Sequence, residues 1–309
     1  MRLRIGTRGS VLALAQAADV AQRLEALGYV TETIVLSTAG DRMTDRSFAD
    51  VGAFGIFVRE IETALLEERV DLAVHSYKDM PSNSPAGLVV AAVPERLDAA
   101  DVLLVRADAV ADETAELPLR NGARVGTSAA RREAQLRAAR ADLDLAPLRG
   151  NVPTRVRALV EGRYDGIVLA VAGLTRLERA AAVGAEPLVP STVVRRRLDP
   201  SHFVPAPAQG AIAVQVRADA VDIRTAVSAI DDPRSARTLR AERSALALAD
   251  GGCTLPFGAW CRVEGSGGLR LTVALGCSDH TIARAEVWGE DPDTLAVSAW
   301  RAIMRDARP

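Results

Sequence analysis

The chain has 309 residues, 49% of them hydrophobic, which is too much for one ordinary core and suits two or three domains. A net charge of -2 and a pI near 6.0 leave no global basic field, which excludes nucleic-acid binding driven by bulk charge and makes any anion site local. Three cysteines, Cys253, Cys261 and Cys277, cannot form a paired framework, so free thiols and a reducing compartment, by default the cytoplasm, are expected.

The opening stretch MRLRIGTRGSVLALAQAADV has the arginines and A-x-A triplet of a signal peptide, but its apolar run, Val11 to Ala15, is too short for one. A strand from Leu3 to Gly6 and a helix opening at Ser10 are expected instead. No uncharged apolar run approaches a membrane span. Short β-rich runs (RLRIGT, ETIVLST, DLAVHS, LVVAAV, DVLLV, ARVGT, GIVLAV, AIAVQV) then alternate with helical stretches such as Phe57 to Glu68 and Ala129 to Ala139. That alternation predicts α/β units, each with a largely parallel sheet. The stretch STAGDRMTDRSFADVGAFG has little periodicity and reads either as a lid or as an ordinary surface connection.

Two proline-bearing connections, AAVPERLDAAD and SHFVPAPAQG, are expected to carry the chain between lobes, which makes the first domain discontinuous. Beyond about residue 226 the pattern changes. A helix from Ala236 to Ala249 leads into LADGGCTLPFG, then AWCRVEG, LRLTVALG and TIARAEVWG alternate around a GSGG turn before a final amphipathic helix. A small antiparallel sheet with helices is predicted there. The boundaries are 1–96 with 204–225 for the first lobe, 97–203 for the second, and 226–309 for a third domain.

Of 38 basic residues only one, Lys78, is a lysine. A chain that uses arginine almost everywhere else keeps a lysine where a guanidinium will not serve. Lys78 and Asp79 follow directly on the predicted strand Asp71 to His75, at a carboxyl strand end where open α/β sheets place ligands. A Schiff base on Lys78 needs a depressed pKa, which an adjacent carboxylate opposes. Lys78 is therefore read as a charge-positioning group and Asp79 as the chemical one, with His75 a hydrogen-bonded residue shaping the strand end rather than a general base.

In VGTSAARREAQLRAAR a strand runs through Thr127 and Ser128 into a helix with Arg131 and Arg132 in its first turn. Ser128 is expected as the N-cap. Cations there oppose the helix dipole, a cost accepted more readily when a bound anion offsets it. LRGNVPTRVRAL repeats the device with Arg149 in a turn and Arg155 at a helix start, AVAGLTRL adds Arg176, and GTRGS adds Arg8 and Ser10. Four such sites at strand ends facing one cleft point to a polyanionic ligand, most naturally several carboxylates gripped by guanidinium forks. No G-K-[ST] or well-placed G-x-G-x-x-G supports a nucleotide, and His75, His202 and His280 have no metal-ligand spacing with the cysteines.

Together GTRGSVLALAQA, GAFGIFVREIETALL, DLAVHSYKDMP, VGTSAARREAQL, LRGNVPTR, DGIVLAVAGLTRL, PAPAQGAIAV and AERSALALADGGCTLPFGA resemble the porphobilinogen deaminase, or hydroxymethylbilane synthase, family along nearly the whole chain. The resemblance implies two lobes like those of periplasmic binding proteins, with mixed, largely parallel sheets, and a small α/β domain with an antiparallel three-stranded sheet. It implies a transferase of tetrapyrrole and heme biosynthesis that joins four porphobilinogens head to tail and releases ammonia. It also implies a dipyrromethane cofactor, one per chain, held by a thioether to Cys253, whose thiolate is the nucleophile.

By residue match, Lys78, Asp79, Thr127, Ser128, Arg131 and Arg132 are expected at the cofactor, and Arg8, Ser10, Gln16, Arg149, Arg155 and Arg176 at substrate or chain carboxylates. Asp79 is expected to stabilise the cation left by ammonia loss and to move protons. Cys261 and Cys277 fall in strand patterns and are read as structural. The partners implied are porphobilinogen and the growing polypyrrole chain, with no nucleic acid, membrane or metal, in a monomer.

Three positions depart from the family pattern. Phe54 stands where many members have a basic residue, Ala129 where serine is usual, and Arg59 where lysine is frequent. The alternative function is a noncatalytic clamshell that binds polycarboxylates, which gives no reason for Cys253 or Asp79. A transferase using Lys78 as a Schiff base is a third.

Overall fold

A computed structural model describes residues 1–36, 56–182, 184–249, 255–265, 267–278 and 280–306. The stretch read as a lid or connection, Phe54 within it, and Cys253 lie outside the described residues. Chain contacts divide the protein into two compact units, Met1–Leu97 with Ala211–Arg237, and Asp98–Gly210 with Thr238–Pro309.

The first unit contains β1 (Arg2–Arg8), α1 (Val11–Ala26), β2 (Val30–Leu36), α2 (Ile56–Leu66), β3 (Leu72–Ser76), β4 (Leu88–Ala92), β10 (Ile212–Arg217) and α6 (Val221–Ser228). Its sheet has the order β2-β1-β3-β10-β4. β1 runs parallel to β2 and β3, and β10 is antiparallel to both of its neighbours. Ala17, Val20 and Leu24, at helical spacing on α1, pack on Leu3, Ile5, Leu72, Val74, Val214 and Val216. Ile61, Ala64 and Leu65 of α2 pack with Ala73 and Leu88 in a separate cluster. Helices on both faces explain why β3 and β10 read as nearly unbroken apolar runs.

The second unit contains β5 (Asp101–Arg106), β6 (Arg124–Gly126), α3 (Ala130–Ala139), β7 (Asp144–Ala146), α4 (Val152–Val160), β8 (Gly166–Ala170), α5 (Val171–Ala180) and β9 (Val193–Arg197). Its sheet, β7-β6-β8-β5-β9, repeats the first in topology. β6 is parallel to β7 and β8, while β5 is antiparallel to β8 and β9 and takes the place that β10 holds in the other sheet. Both sheets are thus mixed and largely parallel, as expected. β7 and β9 were not among the predicted strands: one has three residues, and the other is an edge strand whose sequence, VVRRR, is mostly arginine.

The same unit holds an antiparallel sheet, β11 (Phe257–Glu264), β12 (Gly268–Gly276) and β13 (Ile282–Gly289), with α8 (Pro292–Asp306). Its alternating inward residues, Phe257, Ala259, Cys261, Leu269, Leu271 and Val273, form one cluster with Leu295, Ala296, Ala299 and Ile303 of α8. Cys261 is buried in β11. Cys277 lies one residue past β12 instead of within a strand, where its N–H donates to the Thr281 carbonyl. Gly258 is a close-approach position, since a Cβ there would stand 2.7 Å from the Val204 carbonyl oxygen. The helix α7 (Pro233–Leu248) runs across the boundary between the two units. Among the described residues no helix is long and apolar enough to cross a membrane.

Candidate active site

In the first unit β3 is buried from Leu72 to His75, and the chain then leaves the sheet in a single 3-10 turn, Tyr77–Asp79. The turn is fixed at both ends. Tyr77 N–H donates to the Ala211 carbonyl (3.1 Å), Met80 N–H donates to the Tyr77 carbonyl (3.2 Å), and the Met80 side chain is buried. Held between them, Lys78 is half-buried and Asp79 is exposed. Two side-chain contacts hold the strand end beneath the turn. Gln16, buried on α1, donates through Nε2 to Ser76 Oγ at 2.9 Å. His75 Nε2 meets Gln215 Oε1 at 3.2 Å, and Gln215 Nε2 donates to Glu62 Oε1 of α2 at 3.0 Å.

Burial pushes His75 down to about 4, and its contact with Gln215 only partly opposes this. The ring is therefore neutral at neutral pH and serves as the hydrogen-bonded strand-end residue that its position implied. Burial likewise raises Glu62 above the usual carboxylate range, against the Gln215 hydrogen bond and the Arg59 charge. Neither Gln215 nor Glu62 was singled out in the sequence. The available signal was a glutamine inside the apolar run IAVQV.

Ser10 caps α1, accepting from Ala13 N–H at 3.2 Å, as expected. Arg8, half-buried, closes β1. Because β1 and β3 are parallel and paired at Ile5 with Leu72, Arg8 and the Lys78–Asp79 turn leave the same carboxyl end of the sheet.

In the second unit the carboxyl ends of β6, β7 and β8 share one edge and carry, respectively, Thr127 and Ser128, Arg149, and the helix bearing Arg176. Ser128 is not the N-cap. The helix begins at Ala130 after Ala129, and Ser128 Oγ instead donates to the Leu148 carbonyl (2.8 Å) and accepts from Leu148 N–H (2.9 Å). The hydroxyl joins two loops rather than ending a helix. Thr127 Oγ1 accepts from Ala129 N–H at 3.3 Å, and Asn151 caps α4 by accepting from Thr154 N–H at 2.9 Å. Arg149 is exposed, Arg155 Nε donates to the Gly150 carbonyl at 2.7 Å, and buried Arg176 donates through Nη2 to the Gly210 carbonyl at 2.9 Å.

Arg131 and Arg132 are buried, with side chains 5% and 7% exposed, against a fully buried carboxylate, Asp101. Arg132 donates to Asp101 Oδ1 from Nε (3.1 Å) and Nη2 (2.7 Å), and from Nη1 to the Val168 carbonyl (3.0 Å). Arg131 Nη1 donates to the Val204 carbonyl and stands 2.8 Å from Asp101 Oδ2 as an ion pair. Gln209 Nε2 donates to Asp101 Oδ1 at 2.8 Å and to the Ala99 carbonyl at 2.8 Å. Burial alone would raise the Asp101 pKa, yet the two guanidiniums hold it far below the usual carboxylate range.

The counter-anion expected for the arginine pair is therefore in part supplied by the protein. Asp101 was missed because its partners lie some thirty positions along the chain. Its signal was a carboxylate heading the apolar run DVLLV.

Two guanidiniums against one carboxylate leave one positive charge in excess in a desolvated place, and Arg131 Nε is buried with no hydrogen-bond partner among the described residues. Such a surplus fits a ligand bearing carboxylates, as the acetate and propionate arms of a dipyrromethane do.

Two sheets of one topology, a third antiparallel sheet, and strand ends carrying a lysine–aspartate turn on one sheet and an arginine cluster on the other define an α/β protein suited to carboxylate-rich ligands. A family model described as porphobilinogen deaminase, dipyromethane cofactor binding domain, matches residues 3–225. The chain is 41% identical over 309 residues to a porphobilinogen deaminase of Lachnospira eligens, covering 98% of this chain and 99% of that one. It is 45% identical over 258 residues to one of Syntrophobacter fumaroxidans, covering 83% and 78%. The chain also resembles the solved structure of a putative periplasmic sulfonate-binding protein of Methylobacillus flagellatus, with a TM-score of 0.38 and 13% identity over 81% of this chain and 70% of that one. The chain belongs to the porphobilinogen deaminase family, a family of transferases with a dipyrromethane cofactor.

Proposed function

We propose that the chain joins four porphobilinogens head to tail into the linear tetrapyrrole hydroxymethylbilane, releasing one ammonia from each aminomethyl group and taking up one water as the terminal hydroxymethyl when the product leaves, as a hydroxymethylbilane synthase. The observation that carries this reading is the exposed Asp79 carboxylate, presented on a turn whose two ends are anchored at a sheet's carboxyl edge. Dipyrromethane, attached to Cys253 once per chain, supplies when bound the pyrrole end onto which substrate is joined.

The other roles belong to the chain. Asp79 stabilises the positive charge that develops near the pyrrole nitrogens as ammonia leaves, and holds the proton lost when the new bond forms. Lys78 orients carboxylate and keeps its charge beside Asp79. Thr127, Ser128, Arg131 and Arg132 hold cofactor carboxylates, while Arg8, Ser10, Gln16, Arg149, Arg155 and Arg176 hold those of substrate and growing chain. We read the protein as a cytoplasmic monomer in three domains, in keeping with the free thiols of Cys261 and Cys277.

Intact mass after incubation with porphobilinogen tests this reading. The wild type should gain the mass of two linked pyrroles and Cys253→Ala should not, while Asp79→Asn should retain bound pyrrole and lose turnover. A wild type that gains no pyrrole and releases no ammonia overturns it.

A further inference from the structure

The sequence presents Arg131 and Arg132 as ligand-binding cations, but the structure gives them an internal partner that does more than neutralise them. Asp101 is fully buried and accepts from Arg132 and Gln209 while facing Arg131. Its place in the chain is unusual. The chain first enters the second unit at Asp98 and leaves it at Gly210 before returning at Thr238, so Asp101 stands just inside the first entry and Gln209 just before the exit.

The Gln209 amide grips the entry segment at the Ala99 carbonyl and at Asp101 Oδ1 together. Arg131 holds the exit segment through the Val204 carbonyl, and Gln135, one turn further along α3, holds Val204 from both sides, donating to its carbonyl (3.0 Å) and accepting from its N–H (2.7 Å). The start of α3 and the segments at Asp101 and Gln209 therefore share one polar cluster, in which Asp101 is the carboxylate that meets both guanidiniums, while Glu242 accepts separately from Ala208 N–H at 2.7 Å.

We propose that Asp101 is the positioning residue of the carboxylate site. It fixes the two guanidiniums in orientation, limits their surplus to a single positive charge, and ties that site to the segments through which the chain first enters and then leaves the second unit. This rests on the reading of Arg131 and Arg132 as cofactor-holding residues. A ligand carboxylate arriving at the pair meets donors already aimed, and the orientation of those donors is set by the crossings.

Without Asp101 two buried cations face one another, and a group of equal charge and shape should restore the site where a neutral one should not. Asp101→Ala makes room for such a group. In full-length protein prepared without cofactor and then given porphobilinogen, the rate at which Asp101→Ala gains the mass of two pyrroles should fall at least about tenfold below wild type. Added formate should restore it, and formamide should not. The melting temperature of cofactor-free Asp101→Ala should follow the same pattern, lowered and then recovered with formate only.

Wild-type loading by the variant, equal rescue by both additives, or rescue by neither would each overturn the proposal, the last two marking a packing defect. Should the wild type itself load no pyrrole, the proposed function falls, and the melting measurements still decide the role of Asp101. If Asp101→Ala does not fold, Gln209→Ala keeps both ion pairs and removes the Gln209 amide's hold on Asp101 and the Ala99 carbonyl. It should load more slowly and exchange amide hydrogens faster within residues 99–101 and 204–210. Unchanged loading and exchange in that variant would overturn the proposal.

Discussion

The two five-stranded sheets share one strand order, and each seats a fully buried polar residue on the same topological strand, the antiparallel one second from the edge. On β10 that residue is Gln215, and on β5 it is Asp101. The consequences are opposite. Gln215 links two groups that burial drives toward neutrality, a histidine pushed down and a glutamate pushed up. Asp101 sits between two guanidiniums and is driven the other way, toward permanent charge. The shared strand order thus carries two different polar groups at different registers, a neutral link opposite Ala73 within β3 and an ionic one opposite Ala170 at the carboxyl end of β8. The neutral link lies under the exposed Asp79, and the ionic one under the arginines.

The largest effect expected is on the chemistry carried above the neutral link. Asp79→Asn should lower turnover by roughly 10²- to 10⁴-fold, followed as ammonia release, with little change in melting temperature because Asp79 is exposed. Next is the ionic link. Arg132→Met removes one of the two cations facing a fully buried carboxylate and should cost about 3–5 kcal/mol in denaturant unfolding.

Acid sharpens the contrast. His75 titrates near 4 in the folded chain and near 6.5 when unfolded, so between those values the unfolded chain binds the extra proton and stability falls as pH drops. The full loss is on the order of 3 kcal/mol, and unfolding of His75→Gln followed across that range should be flatter by this amount. Glu62 acts in the opposite sense, because its raised pKa leaves the folded chain holding the extra proton, and Glu62→Gln should therefore steepen the acid loss. The smallest effect expected is that of Ser76→Ala, which removes both hydrogen bonds between the Ser76 hydroxyl and the Gln16 amide and should cost about 1–2 kcal/mol, read as a shift in denaturation midpoint.

Much of this arrangement was legible in the sequence because it is local. Eight apolar runs marked strands, the lone lysine marked the end of β3, and Ser10 before VLALAQ marked the start of α1. What was not legible depends on pairing at a distance. The cationic pair Arg131–Arg132 stood out, but nothing near it in the chain named Asp101. Ser128 had the residue type and position of a cap, yet its hydroxyl satisfied both backbone groups of Leu148, a competitor visible only once β6 and β7 lie side by side. β9 was hidden because an edge strand facing water tolerates three arginines in five residues. Gln215 looked like an interruption in an apolar strand and is instead the link between His75 and Glu62.

The strand order also has a consequence for how the protein is made. β1 to β4 are all translated before Leu97, but β10, which belongs between β3 and β4, begins only at Ile212. The strands of the second sheet are contiguous in the chain, from Asp101 to Arg197. As the nascent polypeptide leaves the ribosome, the later sheet therefore has all its strands first, while the earlier one waits with the facing edges of β3 and β4 unpaired. The sheet beneath Asp79 is begun first and closed only after the second five-stranded sheet has all its strands, and its open edges during that interval are where a chaperone has most to protect.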